Sequence, residues 1–585
     1  MISIMQIISK VLAASGRQTS HQGSCFMLAG ITILFLFLSV SLPAYSQFIP
    51  EHTGNKDIYA FLDELAAEKI ITLTDAVKPW SKAFIASRLS EADNNRDRLS
   101  RRCRNELDQY LRTYRPDLPS PVTLRWNERL NLFKKKEHLA TSLNPFGLIY
   151  KDSLLTLFVK PIYGITYSNN ENGSYTHTWG GLEAYGTIGR LGIYANLRDN
   201  HESEIMEKPS YFTRETGGNY KVNEGGRGGG DYSEMRGGIT YAWKWGNAGL
   251  VKDHFEWGTN RCGSVIFSGR TPSFAHLRLS LYPVKWLEFN YIHGWLVSEV
   301  IDSARSYYTN GGYRAVFRQK YLAANMLTLK PFRYLSLSFG NSIVYSDLGG
   351  VHAAYLIPLA FYKSIDHTVN NGIDNQNSQM FFDISSRNIR HLHLYASLFV
   401  DEFSITRISE PDKHNFLGRK AGFSLTNWPL KDLQLSMEYT LTNPVVYKHR
   451  IDAVTFASNR FCLGHYLGDN SSELSAGLVF RPVSRGSLEI RYSRARHGNE
   501  YPYLDGKQAV AYPVMQDISW EADIVDNTGK YQFVPGGSIF ASYRLSDIRG
   551  YDLDGHSAQY YLDLYTPAFY QGTTHTLAMG FYLGL

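Results

Sequence analysis

Along most of the chain apolar and polar residues alternate one for one, the period of a strand with two unlike faces. Leu433, Leu435, Met437, Tyr439 and Leu441 stand against Gln434, Ser436, Glu438 and Thr440, and Leu488, Ile490 and Tyr492 against Glu489, Arg491 and Ser493. The same rule holds at Leu287, Phe289 and Tyr291, at Leu335, Leu337 and Phe339, and at Leu392, Leu394, Ala396 and Leu398 opposite His391, His393, Tyr395 and Ser397. Each of these strands must place one face against something apolar.

The turns decide what that is. Pro283-Val284-Lys285-Trp286-Leu287, Pro331-Phe332-Arg333-Tyr334-Leu335, Pro429-Leu430-Lys431-Asp432-Leu433 and Pro482-Val483-Ser484-Arg485-Gly486-Ser487-Leu488 are versions of one short turn, with a further turn near Arg387-Asn388. They recur at roughly 50 residues or twice that, and two strands of about ten residues fill only half of such a repeat. The remainder must be long loops at the opposite end, the build of an outer-membrane barrel. About 450 residues at roughly 25 per strand predict 16 to 18 strands. His575, Leu577, Met579, Phe581, Leu583 and Leu585 alternate to the end of the sequence, so the last strand is expected to pair with the first and close the sheet.

Before residue 120 the period is helical. Ile58, Phe61, Leu62, Leu65 and Ala66 share one face; a second helix is predicted from Ser81 as cap, and a third from about Asp97 to Tyr114, stopped by Pro116. The arginines at 98, 101, 102, 104, 112 and 115 read as a solvated helix face, with an anionic polymer as the alternative. Further upstream, Lys10 and Arg17 precede an apolar run over residues 26–38 and Leu42-Pro43-Ala44-Tyr45-Ser46. That order predicts a secretory signal cleaved after Ser46, because the run is short of the ~20 residues a membrane helix needs. Later segments contain no spanning apolar run, so an exported soluble protein or a barrel remains.

Composition sharpens this picture. Forty tyrosines, 31 phenylalanines, 10 tryptophans and 49 glycines suit strands, aromatic girdles and tight turns. A net charge of +6, spread along the chain, argues against a nucleic-acid partner. Cys25 lies in the leader and precedes the apolar run, against a lipoprotein. Cys103, Cys262 and Cys462 are far apart, against a disulfide framework or a zinc site.

Residues 249–282 break the alternation. Lys252, Asp253, His254, Glu256, Arg261 and Arg270 crowd around Trp257, with Phe255 and Phe267 nearby and Gly258, Gly263 and Gly269 available for bends. So many aromatics among charges predict chain packed against other protein inside something hollow, with Trp257, Arg261 and Arg270 bridging loop to wall. From residue 274 alternation resumes, with Leu277, Leu279 and Leu281 opposite His276, Arg278 and Ser280. The pattern Trp257-Gly258, Gly263-Ser264, Ser268 and Thr271-Pro272 before a strand resembles the signature of the Wzi family of capsule assembly proteins. The segments 59–66, Lys78-Pro79-Trp80-Ser81, Ala354-Tyr355-Leu356-Ile357-Pro358, Asp374-Asn375 and 398–403 resemble its bacteroidete members.

The resemblance implies a mainly β fold: a transmembrane antiparallel barrel over residues 121–585, preceded by a small helical periplasmic domain over 47–120. It also implies a non-enzymatic outer-membrane protein that binds or retains capsular or extracellular polysaccharide and helps capsule assembly. Outer-membrane lipid and the barrel-assembly machinery are the further expected partners, and no cofactor or metal is expected. If the motif faces outward, Lys252, His254, Trp257, Arg261, Ser264, Arg270 and His276 are the candidate sugar contacts. The tyrosine- and arginine-containing loops at 211–232 and 307–318 are others, since sugars stack on aromatic faces and take forked hydrogen bonds from arginine.

Rival chemistries find little footing. Asp253 and His254 with Ser264 or Ser268 hold the ingredients of a hydrolase triad, but adjacent residues of a strand point to opposite faces and no nucleophile elbow is present. The glycines at 225–230 lack the strand, helix and Lys-Ser/Thr of a phosphate loop. His391 and His393 share a strand face as metal ligands would, and as lumen-facing polar residues also do. A pore for small solutes is the alternative function.

Overall fold

The computed structural model describes residues 48–114, 139–143, 146–152, 154–206, 217–218, 221–222, 229–372, 375–409, 415–501, 514–553 and 555–584. The expected leader and its cleavage site, Arg115, Pro116, Asp374, Leu585 and most of the loop at 211–232 lie outside them. Gly229 and Gly230, the last two of the glycine cluster, open the strand Gly229–Trp243, whose neighbour is Leu191–Ser203.

Eighteen antiparallel strands form a closed barrel that runs from Leu155–Asn170 round to Gly572–Leu583. The last strand closes on the first, from Leu577 opposite Asn169 to Leu583 opposite Tyr163. The other half of that first strand, from Thr156 to Val159, carries a small hairpin made of Leu139–Leu143 and Phe146–Lys151. At one rim the strands are joined by short turns, among them residues 285–286, 333–334, 427–432 and 484–485. At the other rim all connections but residues 171–172 are long.

The strand alternation is turned inside out relative to a soluble protein. Leu182, Ile239, Leu250, Phe382, Leu488 and Leu577 project outward and are exposed, the apolar band a lipid-facing wall requires. Ser336, Ser338, Ser424 and Thr440 face inward and are buried. Among the described residues no helix is long and apolar enough to cross a membrane.

Three helices sit in the mouth ringed by short turns: α1 (Lys56–Ala67), α2 (Lys82–Asn94) and α3 (Arg101–Tyr114). The apolar face of α1 forms their common core with Ile85, Leu89, Leu107 and Tyr110. Ser81 caps α2 by accepting the Phe84 N–H at 3.0 Å. The third helix starts later than its sequence pattern predicts. Leu99 is extended and buried, which ends a short 3₁₀ turn at Arg96–Arg98, and the Ser100 hydroxyl then accepts the Cys103 N–H.

Polar groups tie these helices to the rim. Glu64 of α1 takes Arg481 Nη1 at 3.1 Å, Lys69 Nζ donates to the Asn388 carbonyl at 2.7 Å, and Asp57 accepts from Gln532 at 3.1 Å. Arg102 departs from the expected solvated face. It is buried between Glu64, Glu106 and Asp432, the last at 2.6 Å, because α3 turns this residue toward the rim. Arg98, Arg101, Arg104 and Arg112 are exposed.

Candidate functional site

Residues 254–273, the connection after strand Gly246–Asp253, fold into the lumen instead of rising from the rim. Val265, Ile266, Phe267 and Trp257 are buried among wall residues Leu322, Met326, Val344, Phe381 and Phe399. Trp257 is 1% exposed and meets Phe267 and Phe381 edge-on. Its backbone pairs with Val77, so a two-residue strand from the α1–α2 connection (Val77–Lys78) is laid along Glu256–Trp257. Gly258 continues the ladder by donating its N–H to the Ala76 carbonyl at 2.9 Å. Its φ of +93° and a virtual Cβ only 2.6 Å from Ser264 Oγ explain why glycine stands there.

Arg261 lies at the meeting point of helices, loop and wall. Its guanidinium pairs with Asp63 of α1 and donates to Ser424 Oγ at 3.0 Å, while its N–H bonds Glu438 at 2.8 Å. Glu438 also pairs with Lys420 and accepts the Tyr395 hydroxyl at 2.8 Å. Asp63 in turn meets Arg387 at 2.6 Å, and Arg387 also holds Asp75. Burial works to raise the Asp63 carboxyl, but Arg261 and Arg387 hold it well below the usual carboxylate range. Burial likewise opposes Glu64, and Arg102 and Arg481 keep it below its ordinary value.

The seven motif residues separate into distinct places. Lys252 is on the outer face of the wall, its ammonium on the Met235 carbonyl and Ser273 Oγ. Arg270 stacks over the Tyr466 ring at 3.9 Å and donates to the Cys262 carbonyl at 3.0 Å, inside the lumen. His276 is buried and directs Nδ1 at the Phe274 carbonyl, 3.1 Å away. Ser264 gives its hydroxyl to the Trp257 carbonyl and accepts the Ile266 N–H. His254 faces elsewhere: Nδ1 lies 3.2 Å from His52 Nε2, and Nε2 lies 3.2 Å from Glu234. Ser264 and His254 therefore serve different neighbourhoods, and Asp253 receives the Tyr194 hydroxyl at 2.7 Å.

Two sets of side chains bring metal-type donors together among the described residues. Asp63, Asp75 and His393 are one, and the Arg387 guanidinium already pairs with both of their carboxylates. His52, Glu234 and His254 are the other, with donor atoms within 4.8 Å of one another. Burial, with Arg236 nearby, lowers the pKa of both imidazoles, against the opposing pull of Glu234 on His254. His391 stands apart from His393, at the rim, 2.8 Å from Glu68, which caps the C-terminus of α1.

Asp63, Asp75, Arg387 and Glu438 are the members that sequence reasoning passed over. Glu438 and His393 occupy inward positions of clear alternation, and a charged residue at such a position is the signal that points to a lumen partner.

The result is a closed β-barrel whose lumen is occupied by its own chain. Its fold is that of Wzi: the solved structure described as an outer membrane protein involved in group 1 capsule assembly in Escherichia coli, a carbohydrate-binding β-barrel, aligns over 92% of this chain and 100% of its own, at a TM-score of 0.53 and 10% identity. OccD3 (OpdP) of Pseudomonas aeruginosa aligns over 72% and 90%, at a TM-score of 0.38 and 12% identity. OprD of the same organism aligns over 73% and 94%, at 0.37 and 9%. No protein-family model and no curated protein matches the chain.

Proposed function

We propose that this barrel binds capsular or extracellular polysaccharide at the cell surface and helps to retain and assemble it, without catalysing a reaction. The observation that carries the reading is the hairpin Tyr307–Thr309/Gly312–Arg314 at the long-loop rim. Tyr308 is 82% exposed, its ring centroid 5.1 Å from that of Tyr313, and Arg305 and Arg314 are exposed beside them. Paired aromatic faces with flanking guanidiniums suit a sugar chain carrying carboxylates. The carbohydrate-binding barrel of the same fold lends support.

The lumen motif is assigned a scaffolding part. Trp257, Ser264 and His276 are buried, so they act by holding the inward segment and not by touching polymer from outside. The alternative, a pore for small solutes, fits less well with a lumen crossed by packed apolar side chains and paired charges.

The test is deletion of the gene followed by separation of cell-bound from shed polysaccharide, with complementation. Polymer still made but found in the medium supports the reading. An unchanged distribution sinks it. Complementation with Tyr308→Ala/Tyr313→Ala is expected to restore barrel levels but not retention.

A further inference from the structure

One stretch of the barrel's outer wall breaks the lipid-facing rule. On three adjacent strands, Leu287–Leu296, Lys320–Phe332 and Leu335–Ser346, the outward positions include Tyr291, His293, Tyr321, Asn325, Asn341 and Tyr345. Two cross-strand asparagines and a histidine facing hydrocarbon are costly unless something satisfies them. Phe339 and Leu337, lower on the same face, are exposed as lipid-facing residues should be.

What covers the polar stretch is the loop that follows Ser346. Tyr355 and Tyr362 of this loop are 0% exposed and pack with Tyr291, Tyr321, Ile343 and Tyr345 on the outside of the wall. The contacts to the loop backbone are specific. Asn325 Nδ2 donates to the carbonyls of Pro358 and Ala360, both at 2.8 Å, and Asn341 Nδ2 reaches the Ala360 carbonyl at 3.1 Å. Asn341 Oδ1 accepts the Tyr362 N–H at 2.9 Å, and the Tyr291 hydroxyl donates to the Tyr355 carbonyl at 3.0 Å.

Irregular backbone at membrane depth persists only where protein satisfies its polar groups, and here wall side chains do so. Asn325 lies five residues from the loop end of its strand, roughly 16 Å along it at about 3.3 Å per residue. The loop therefore descends well below the rim. Its far side is apolar at this depth: Ile357, Leu359 and Phe361 are all exposed, Leu359 by 78%. The helix that climbs back, Tyr362–Val369, instead exposes Lys363, Ser364, His367 and Thr368.

We propose that residues 353–369 form an external strap inserted into the loop-side leaflet of the bilayer, with Ile357, Leu359 and Phe361 seated among lipid acyl chains. Lipid is the occupant because the exposed tip continues the apolar band formed by Phe339, Leu337, Met380 and Phe382. The polar returning helix matches the headgroup level above it. This surface is separate from the Tyr308 hairpin and stands whether or not the barrel holds polysaccharide.

The test uses the full-length barrel in phosphatidylcholine vesicles, with Leu359→Cys labelled by an environment-sensitive fluorophore under native conditions and wild-type labelling subtracted. Lipids brominated on the acyl chain are expected to quench this label severalfold more than aqueous iodide does, with the order reversed for a label at Tyr308→Cys. Stronger quenching by iodide at residue 359 would place the tip in water. Protection from both quenchers would place protein over it. Either result overturns the proposal. An Asn325→Leu/Asn341→Leu variant, which keeps the wall apolar but removes the strap's seat, is expected to lose acyl-chain quenching at residue 359 while the barrel remains closed.

Discussion

Thr259 and Asp383 join the inward segment to the wall by two hydrogen bonds: the Thr259 N–H reaches Oδ1 at 2.8 Å and its hydroxyl reaches Oδ2 at 3.0 Å. Ser397 supplies a third donor at 2.6 Å. Asp383→Ala leaves these donors buried without an acceptor, at a cost of about 1–3 kcal/mol for each group left unsatisfied. The expected outcome is a lowered unfolding midpoint in detergent and new protease cleavage within residues 254–273, with Asp383→Asn intermediate. Unchanged cleavage and midpoint would show that the segment is held without this pair.

Trp257→Ala empties the centre of the lumen core. Truncating so large a buried aromatic costs about 3–5 kcal/mol. Because the loss is in the lumen and not in the sheet, the strands should still close, visible as retained heat-modifiable migration, while thermal unfolding moves down. A midpoint equal to wild type would mean that the core relaxes around the gap.

The helices should leave the mouth in acid. Asp63 and Glu64 have folded-state pKa values below their ordinary ones, so the stability they contribute is present above the unfolded value of about 4 and is lost as pH falls through the folded values. Pepsin digestion across falling pH should release fragments of residues 56–114 before the barrel itself unfolds. Resistance that does not change from neutral pH to well below 4 would argue that apolar packing alone seats the helices.

Intact protein is expected to be silent in planar bilayers, and deletion of residues 56–114 to produce at most noisy, partial conductance, because residues 254–273 still cross the lumen. Steady ion conduction by the intact barrel would favour the pore reading.

Polysaccharide binding should weaken about tenfold, or about 1.4 kcal/mol, in Tyr308→Ala/Tyr313→Ala, with the melting midpoint unchanged. Equal binding by the variant would move the sugar contact away from this hairpin.

Much of this architecture was legible in the sequence because period-two alternation reports which residues share a face. The hairpins at 285–286, 333–334 and 427–432 and the closing strand follow from that period and from turn chemistry. Alternation gives no information about what lies opposite an inward charge. Asp63 meets Arg261 across 198 positions and Arg387 across 324, so neither helical periodicity nor strand pattern announces the pair. Arg102 misled for the same reason: it reads as one of a row of solvated arginines, and only Glu64 of the neighbouring helix and the rim turn carrying Asp432 make its side a buried one. The external strap was hidden by a similar ambiguity. Asn325 and Asn341 interrupt apolar faces, and an interruption reads as a weak strand until the covering backbone is seen.

The helices and the residues just after α1 touch the rim at Asn388, Arg390, Asp432, Arg481 and Gln532, residues from turns and strands spread around the short-turn end. Such fixed points act as a gauge of circumference. Gaining or losing one hairpin would change the ring's diameter and pull several of these pairs out of reach together. Loops on the opposite rim that neither enter the lumen nor pack on the wall can lengthen or change composition, but the number of strands is locked to the helices that fill the mouth.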